Sequence, residues 1–331
     1  MPTLKSDSLV VFRSDAGRAL CLVLAVSACA RFEGGSGPVV RSKGDESPPP
    51  VGTEIAWLGD LHQPESVKYD ADQDVFFISN MVGYGSDHDG MGYIVEVSAG
   101  NLANSKVFAE SGKAGVVLDA PKGMTIHGDT LWVCDIDQLR GFNRKTGMPV
   151  GTIDLRPNGA VLLNDVTIGG DGGIYITDTG ILMTDKGVIH TGPDRIFAVH
   201  NGAVSVLAQG NQLGRPNGIV WDKERKSLVG VSFDPFHSLV YAISPTGELR
   251  GLAAGTGKFD GIEPLGHGLY MVASWNDSSV RILGNGANRR LASNIQAPAD
   301  IGFDTKRNRL AVPTGPLNQM QLWQLPASLG Q

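Results

Sequence analysis

From about residue 52 onward no apolar period of 3.6 persists along the chain. Short β-rich runs alternate instead with turns of Gly, Asp and Asn every 8 to 12 residues, which is the pattern of an all-β sandwich, barrel or propeller. Internal repetition decides among these. Six segments place a small or polar residue and an aliphatic ahead of an Asp- and Gly-rich turn and a second β run. They are Pro64-Glu65-Ser66-Val67, Pro121-Lys122-Gly123-Met124, Leu163-Asn164-Asp165-Val166, Pro216-Asn217-Gly218-Ile219, Phe259-Asp260-Gly261-Ile262 and Pro298-Ala299-Asp300-Ile301. Their second positions are 57, 42, 53, 43 and 39 residues apart, which suits a four-stranded blade of about 40 to 50 residues with loop insertions.

Residues 52–331 are therefore predicted to form an all-β, six-bladed β-propeller with four-stranded blades. The last unit has room for three strands, ending in Gln321-Leu322-Trp323-Gln324-Leu325. The run Glu54-Ile55-Ala56-Trp57-Leu58 precedes the first repeat and supplies the missing outer strand of that blade, which removes a free sheet edge. A solenoid of the same repeat length would need polar end caps, and none is evident.

Composition agrees. The 44 glycines in 331 residues follow no Gly-X-Y period, which excludes collagen and favours dense turns, and 41% hydrophobic content can bury a full core. Charge is mild at −6, with no basic block beyond pairs such as Arg289-Arg290. Nucleic acid is excluded as a partner, because phosphate binding needs clustered positive surface.

The continuous apolar run Ala19 to Ala28 is too short to cross a bilayer, which takes about 20 apolar residues. Lys5, Arg13 and Arg18 precede it and small residues close it, which is signal-peptide order. Val26-Ser27-Ala28-Cys29 also resembles a bacterial lipobox, in which the cysteine is acylated and becomes the new N-terminus. An ordinary secretory signal cut near the same place is the alternative. The expected organisation is a signal peptide over 1–28, a Gly- and Pro-rich tether over 29–51 and the propeller over 52–331. This places the protein in the cell envelope, lipid-anchored through Cys29 at the periplasmic face of a membrane, or secreted. Membrane contact is through the anchor alone. Cys134, in the strand-like run Leu131-Trp132-Val133-Cys134, is read as a buried, inert thiol.

Successive first strands of a propeller line its central channel, so equivalent positions converge there. The ring reads Glu65, Lys122, Asn164, Asn217, Asp260, Ala299. Glu, Asn, Asn and Asp offer four hard oxygen ligands with two negative charges. Ca²⁺ takes 6 to 8 oxygens, so positions remain for water or substrate, as a Lewis-acid catalyst requires. The competing explanation is turn chemistry at blade entrances, although the Gly or Asp that follows each of the Asn and Asp donors already meets that need.

With these residues in place, the ring and blades resemble the senescence marker protein (regucalcin), gluconolactonase and lactonase-like six-bladed propellers. The resemblance covers about residues 52 to 331 and is best in Pro216-Asn217-Gly218-Ile219 and Asp260-Gly261-Ile262. It implies a divalent metal, usually calcium, held by Glu65, Asn164, Asn217 and Asp260, with Asp260 as base or nucleophile toward a small-molecule lactone or ester. Two departures stand out: Ser66 where Gly often follows the Glu, and Leu162 where an Arg often precedes the first Asn by two.

Lys122 is the unusual member of the ring. Its ammonium is assigned to an anionic substrate or a developing oxyanion. It could otherwise snorkel to the channel mouth, or pair with Glu65 in place of the metal. His88, in Asp87-His88-Asp89-Gly90, is a second candidate substrate contact; as an EF-hand loop that segment fails, because its twelfth position is Ser98. Gly255-Thr256-Gly257-Lys258 has Leu252 and Phe259 at two required P-loop positions, so nucleotide binding is rejected. No Gly-x-Ser-x-Gly elbow or zinc-like His pair occurs. The expected function is a divalent-metal-dependent hydrolase of a lactone or related ester, with specificity set by the mouth loops Met81 to Gly92 and Ile181 to Pro193. The alternative is a non-catalytic propeller that binds a ligand or protein at its channel face, and a strictosidine-synthase-like enzyme ranks behind both.

Overall fold

The computed structural model describes residues 50–329. The expected signal peptide over 1–28, Cys29 and almost all of the expected tether over 29–51 lie outside these residues. Six four-stranded antiparallel sheets form the blades of a propeller, and each sheet runs outward from its innermost strand. The innermost strands of blades 1 to 5 are Pro64–Asp70, Pro121–His127, Leu163–Ile168, Pro216–Asp222 and Phe259–Gly266. Blade 3 carries an inserted hairpin, Ile181–Thr184 paired with Gly187–His190, where a mouth loop was expected.

The ring closes as the sequence predicts. Thr53–Leu58 pairs antiparallel with Gln319–Gln324 as the outermost strand of blade 6, with Trp57 opposite Gln321 and Leu58 opposite Met320. The first repeat segment of blade 6 departs from its counterparts. Its strand is confined to Gly302–Asp304, while Asp300 turns toward blade 1. There the Asp300 N–H donates to the Glu65 carbonyl at 2.9 Å, and the Val67 N–H donates to the Asp300 carbonyl at 3.1 Å. Pro298 has no N–H to give its own sheet, and the backbone groups freed by that break join the seam between blades 6 and 1.

Both faces of each sheet meet a neighbouring blade, so the core is six apolar layers between blades rather than one central mass. Met124, Leu131 and Val133 of blade 2 pack on Phe77 and Ile94 of blade 1. Val272 and Tyr270 of blade 5 pack on Val229 and Val240 of blade 4. Each such buried side chain contributes about 1.5–3 kcal/mol, while the outermost strands, for example Pro149–Asp154, stay largely exposed.

A polar bracket recurs on the turns that follow the innermost strands of blades 1, 4 and 6. Asp70, Asp222 and Asp304 each accept the N–H groups of residues two and three further on, at 2.9 to 3.1 Å. In blade 6 the bracket extends across the seam. The Arg307 guanidinium donates to both Asp74 oxygens of blade 1 at 2.8 and 2.5 Å, and to Asp304 at 3.0 Å.

Candidate functional site

One backbone irregularity aims the ring residues. In blades 1 to 5 the ladder between the first two strands slips at the ring position: Pro64 faces Asn80, yet Val67 faces Ile78, and the same shift recurs at Pro121/Met124, Leu163/Val166, Pro216/Ile219 and Phe259/Ile262. A bulge leaves its extra residue out of the ladder and bends the strand. Here it frees Glu65, Lys122, Asn164, Asn217 and Asp260 to line one pocket, together with Ala299. The glycine after the ring residue lets the next blade approach. A Cβ on Gly218 would lie 2.5 Å from the Asp260 carbonyl oxygen, and one on Gly261 would lie 2.5 Å from the Ile301 nitrogen. At the same position in blade 1, the Ser66 hydroxyl instead donates to Asp300 at 2.5 Å.

The pocket has a volume of about 590 Å³. Below the ring the channel fills with polar groups. Asp165 accepts the Ile219 N–H at 2.7 Å, and burial pushes its carboxyl up to about 7. Lower still, the Lys68 ammonium meets Glu263 at 3.2 Å. Burial disfavours that ammonium, but Glu263, Asp300 and Asp165 outweigh it and hold Lys68 protonated.

All four candidate donors are nearly inaccessible, between 3% and 8% exposed. Among the described residues, eight buried side-chain polar atoms lack a hydrogen-bond partner, and four of them are Glu65 Oε2, Asn164 Oδ1, Asn217 Oδ1 and Asp260 Oδ1. A buried polar atom without a partner costs about 1–3 kcal/mol, so these four acceptors at one register call for donors or a cation beyond those the chain supplies, with only the Trp275 indole acting on Asp260. Four hard oxygens with two carboxylates fit a divalent cation of the calcium type.

The electrostatics of the cluster run the same way. Burial, opposed by Lys122 and reinforced by Asp260 and Asp165, pushes the Glu65 carboxyl well above the usual carboxylate range. Burial likewise raises Asp260 to about 7; the Asp165 carboxylate adds to the rise, while the Trp275 indole and Lys122 pull it down. Crowded acids of this kind stay ionised most readily beside added positive charge.

Lys122 is 1% exposed, so it is held within the ring rather than at the channel mouth. Its Nζ contacts Met81 Sδ at 2.8 Å and forms no hydrogen bond to Glu65, whose Oε2 has no partner. Burial lowers its pKa, against the pull of Glu65, Asp135 and Asp260. His88 is not among the pocket-lining residues. Half-exposed on the loop that joins the second and third strands of blade 1, it meets Asp119 at 2.9 Å and Asp137 at 3.5 Å. Leu162 is fully buried against Ala120, Ile136 and Ile181. Cys134 is buried and unbridged, and burial raises its thiol pKa.

Two cationic residues of the pocket lie outside the ring predicted from the sequence, Lys258 having entered there only within the rejected P-loop segment. Arg215 and Lys258 line the pocket, each two residues before a ring donor. Each stands just ahead of its repeat segment, and Arg215 precedes Asn217 by two residues, the spacing at which the resemblance implies an Arg before the first Asn.

The fold defines a class, the six-bladed β-propellers. No protein-family profile matches the sequence, and no curated protein matches it. Similar solved structures include a gluconolactonase from Xanthomonas campestris, at 15% identity and TM-score 0.59 over 85% of this chain and 96% of that one. A luciferin-regenerating enzyme is 14% identical, with TM-score 0.61 over 83% and 94%. A chain of a nidogen–laminin complex is 15% identical, with TM-score 0.53 over 74% and 93%. Likeness at this level of identity establishes the shared propeller architecture.

Proposed function

We propose that the pocket is the active centre of a divalent-metal-dependent hydrolase, calcium being the expected ion, that opens a lactone or a related ester. The observation that carries this reading is the convergence of four orphaned buried oxygens, from Glu65, Asn164, Asn217 and Asp260, at one register of four blades. The gluconolactonase among the structural neighbours supports the same reaction class.

A cation on these four residues would supply Lewis-acid polarisation of the scissile carbonyl. Asp260 is the base that takes a proton from the attacking water, or the nucleophile itself; a cation beside it would keep its carboxyl ionised for either role. The Lys122 ammonium, with donors left over after Met81, stabilises negative charge that develops on the substrate. His88 is kept as a candidate substrate contact for molecules that extend beyond the pocket. Phe233 and Trp275, edge to face, give the pocket an aromatic wall. The test is a screen of lactones and aryl esters with and without added Ca²⁺. Hydrolysis that requires the ion and disappears in Asp260→Asn supports the reading, and its absence together with no Ca²⁺ binding overturns it.

The second reading is a non-catalytic binder with Lys122 as its resident cation, favoured by the burial of that ammonium inside the ring. Ca²⁺ binding that appears only after Lys122→Met selects it. We also propose anchoring in the cell envelope through acylated Cys29, on the strength of the lipobox-like Val26-Ser27-Ala28-Cys29. Cys29→Ser should abolish lipid labelling and release the protein from membranes; unchanged fractionation without label in the parent defeats the idea.

A further inference from the structure

The lining of the pocket contains two carboxylates, Glu65 and Asp260, and three cationic side chains, Lys122, Arg215 and Lys258. Cationic side chains therefore outnumber acidic ones in the lining, and a divalent ion on the carboxylates would add to that excess.

Arg215 and Lys258 stand at one repeated position. Each directly precedes the innermost strand of its blade, and each has a positive φ, 59° and 52°; Gln63 and Ala297, at the same place in blades 1 and 6, have 51° and 45°. Side chains seldom adopt this conformation without support. Here the support is a hydrogen bond from the Arg215 N–H to Asp194 at 2.7 Å and another from the Lys258 N–H to the Asp234 carbonyl at 2.8 Å. The bend places two cations on the pocket wall beside Asn217 and Asp260.

Among the described residues neither head group forms a salt bridge. The Arg215 guanidinium acts on Asp234 through its charge alone. The Lys258 ammonium lies 5.9 Å from the ring centres of both Phe233 and Trp275, which meet edge to face at 5.1 Å. A cation held against aromatic rings adjoins an apolar surface and keeps its N–H donors for a ligand. Apolar surface continues outward through Phe236, 78% exposed, which follows the lining residue Pro235.

We infer that this pocket selects an amphiphilic anion, a molecule whose aromatic or alkyl body lies on the Phe233–Trp275 wall and whose anionic group is held by Arg215, Lys258 and Lys122. As a statement about substrate it rests on the hydrolase reading, giving a lactone or ester that bears a carboxylate or a similar group. As a statement about binding it stands without that reading.

Fluorescence titration of the protein at low ionic strength tests it with two probes that share an aryl body. One is 8-anilinonaphthalene-1-sulfonate and the other the uncharged N-phenyl-1-naphthylamine. The sulfonate should bind at least about tenfold more tightly, and Arg215→Gln/Lys258→Gln should bring the two probes to within about twofold of each other. Should that variant fold poorly, salt gives the same answer in the parent, because screening should weaken the sulfonate and spare the neutral probe. Equal affinities, binding of neither probe, or a preference that survives both the variant and salt overturns the inference. A parallel assay with Ca²⁺ compares dihydrocoumarin with a carboxylate-bearing dihydrocoumarin. Preference for the anionic probe with cleavage of neither lactone removes the hydrolase reading and leaves the binding assignment in place.

Discussion

Lys122 Nζ lies 2.8 Å from Met81 Sδ, and a thioether is a weak acceptor for a buried ammonium. The charge is surrounded by acids that it does not touch. Replacing it with the isosteric hydrocarbon-like side chain in Lys122→Met should raise metal-free stability by about 1–3 kcal/mol, since a buried charge without a close partner is costly. Ca²⁺ affinity should be kept or tightened, because like charge is removed from the ring, while turnover of anionic substrates falls. Calorimetric melting and Ca²⁺ titration read the two effects separately.

Asp260→Asn keeps the shape of the side chain and removes one charge from the donor set. Ca²⁺ affinity should drop at least about tenfold and hydrolysis by about a thousandfold. Metal-free stability should stay level or rise, since burial already opposes the ionised carboxyl. Isothermal titration with Ca²⁺, steady-state kinetics and a melt form the set of measurements.

Gly261→Ala tests the contact between blades 5 and 6. The added methyl would sit 2.5 Å from Ile301 N and 2.6 Å from Asp300 Cα, both backbone atoms that cannot rotate away. A loss of about 3 kcal/mol is expected from urea unfolding. Gly151→Ala, with nothing within 4 Å of the new atom, is the control and should be nearly neutral.

Asp74 responds to pH in a defined direction. The Arg307 guanidinium, chiefly through its hydrogen bonds and aided by Tyr69, holds the Asp74 carboxyl well below the usual carboxylate range. A depressed folded-state pKa stabilises the fold above the unfolded value of about 4, and that contribution disappears as pH falls toward the folded value. Asp74→Asn should therefore cost about 1 kcal/mol at pH 7, a figure discounted for solvent screening. The gap between variant and parent should narrow below about pH 4. Chemical denaturation from pH 7 to pH 3 follows it.

The fold was legible because a propeller writes its geometry as a repeat: an aliphatic, a turn and a second β run recur at the same offsets in the six segments, and the three-strand last unit called for Glu54 to Leu58. The ring positions were legible for the same reason. The residues that escaped did so for physical causes. Arg215 and Lys258 depend on a positive φ that an Arg or Lys does not advertise in sequence, unlike Gly. The Lys68–Glu263 pair joins residues 195 apart from two blades, and their proximity exists only once the ring has formed. His88 was read from a local acidic cluster, and the structure gives it Asp119 and Asp137 from blade 2 instead. The short blade 6 strand reflects backbone bonds that Asp300 makes with blade 1, which no pattern within one repeat contains.

The antiparallel pairing of Thr53–Leu58 with Gln319–Gln324 also sets an order of events during synthesis. The first of the described strands to leave the ribosome finds its partner last, after more than 250 intervening residues have been made. Holding such a long loop shut costs about 5 kcal/mol of chain entropy, which the nascent protein can recover only when the preceding blades already present a nearly finished circle. Until then Trp57 and its neighbours wait as an unpaired edge, open to a chaperone or to another chain. Quality control of this protein thus acts on the interval between the first strand and the last, and a chain stopped a few dozen residues early would have most of its sheets and no way to lock them.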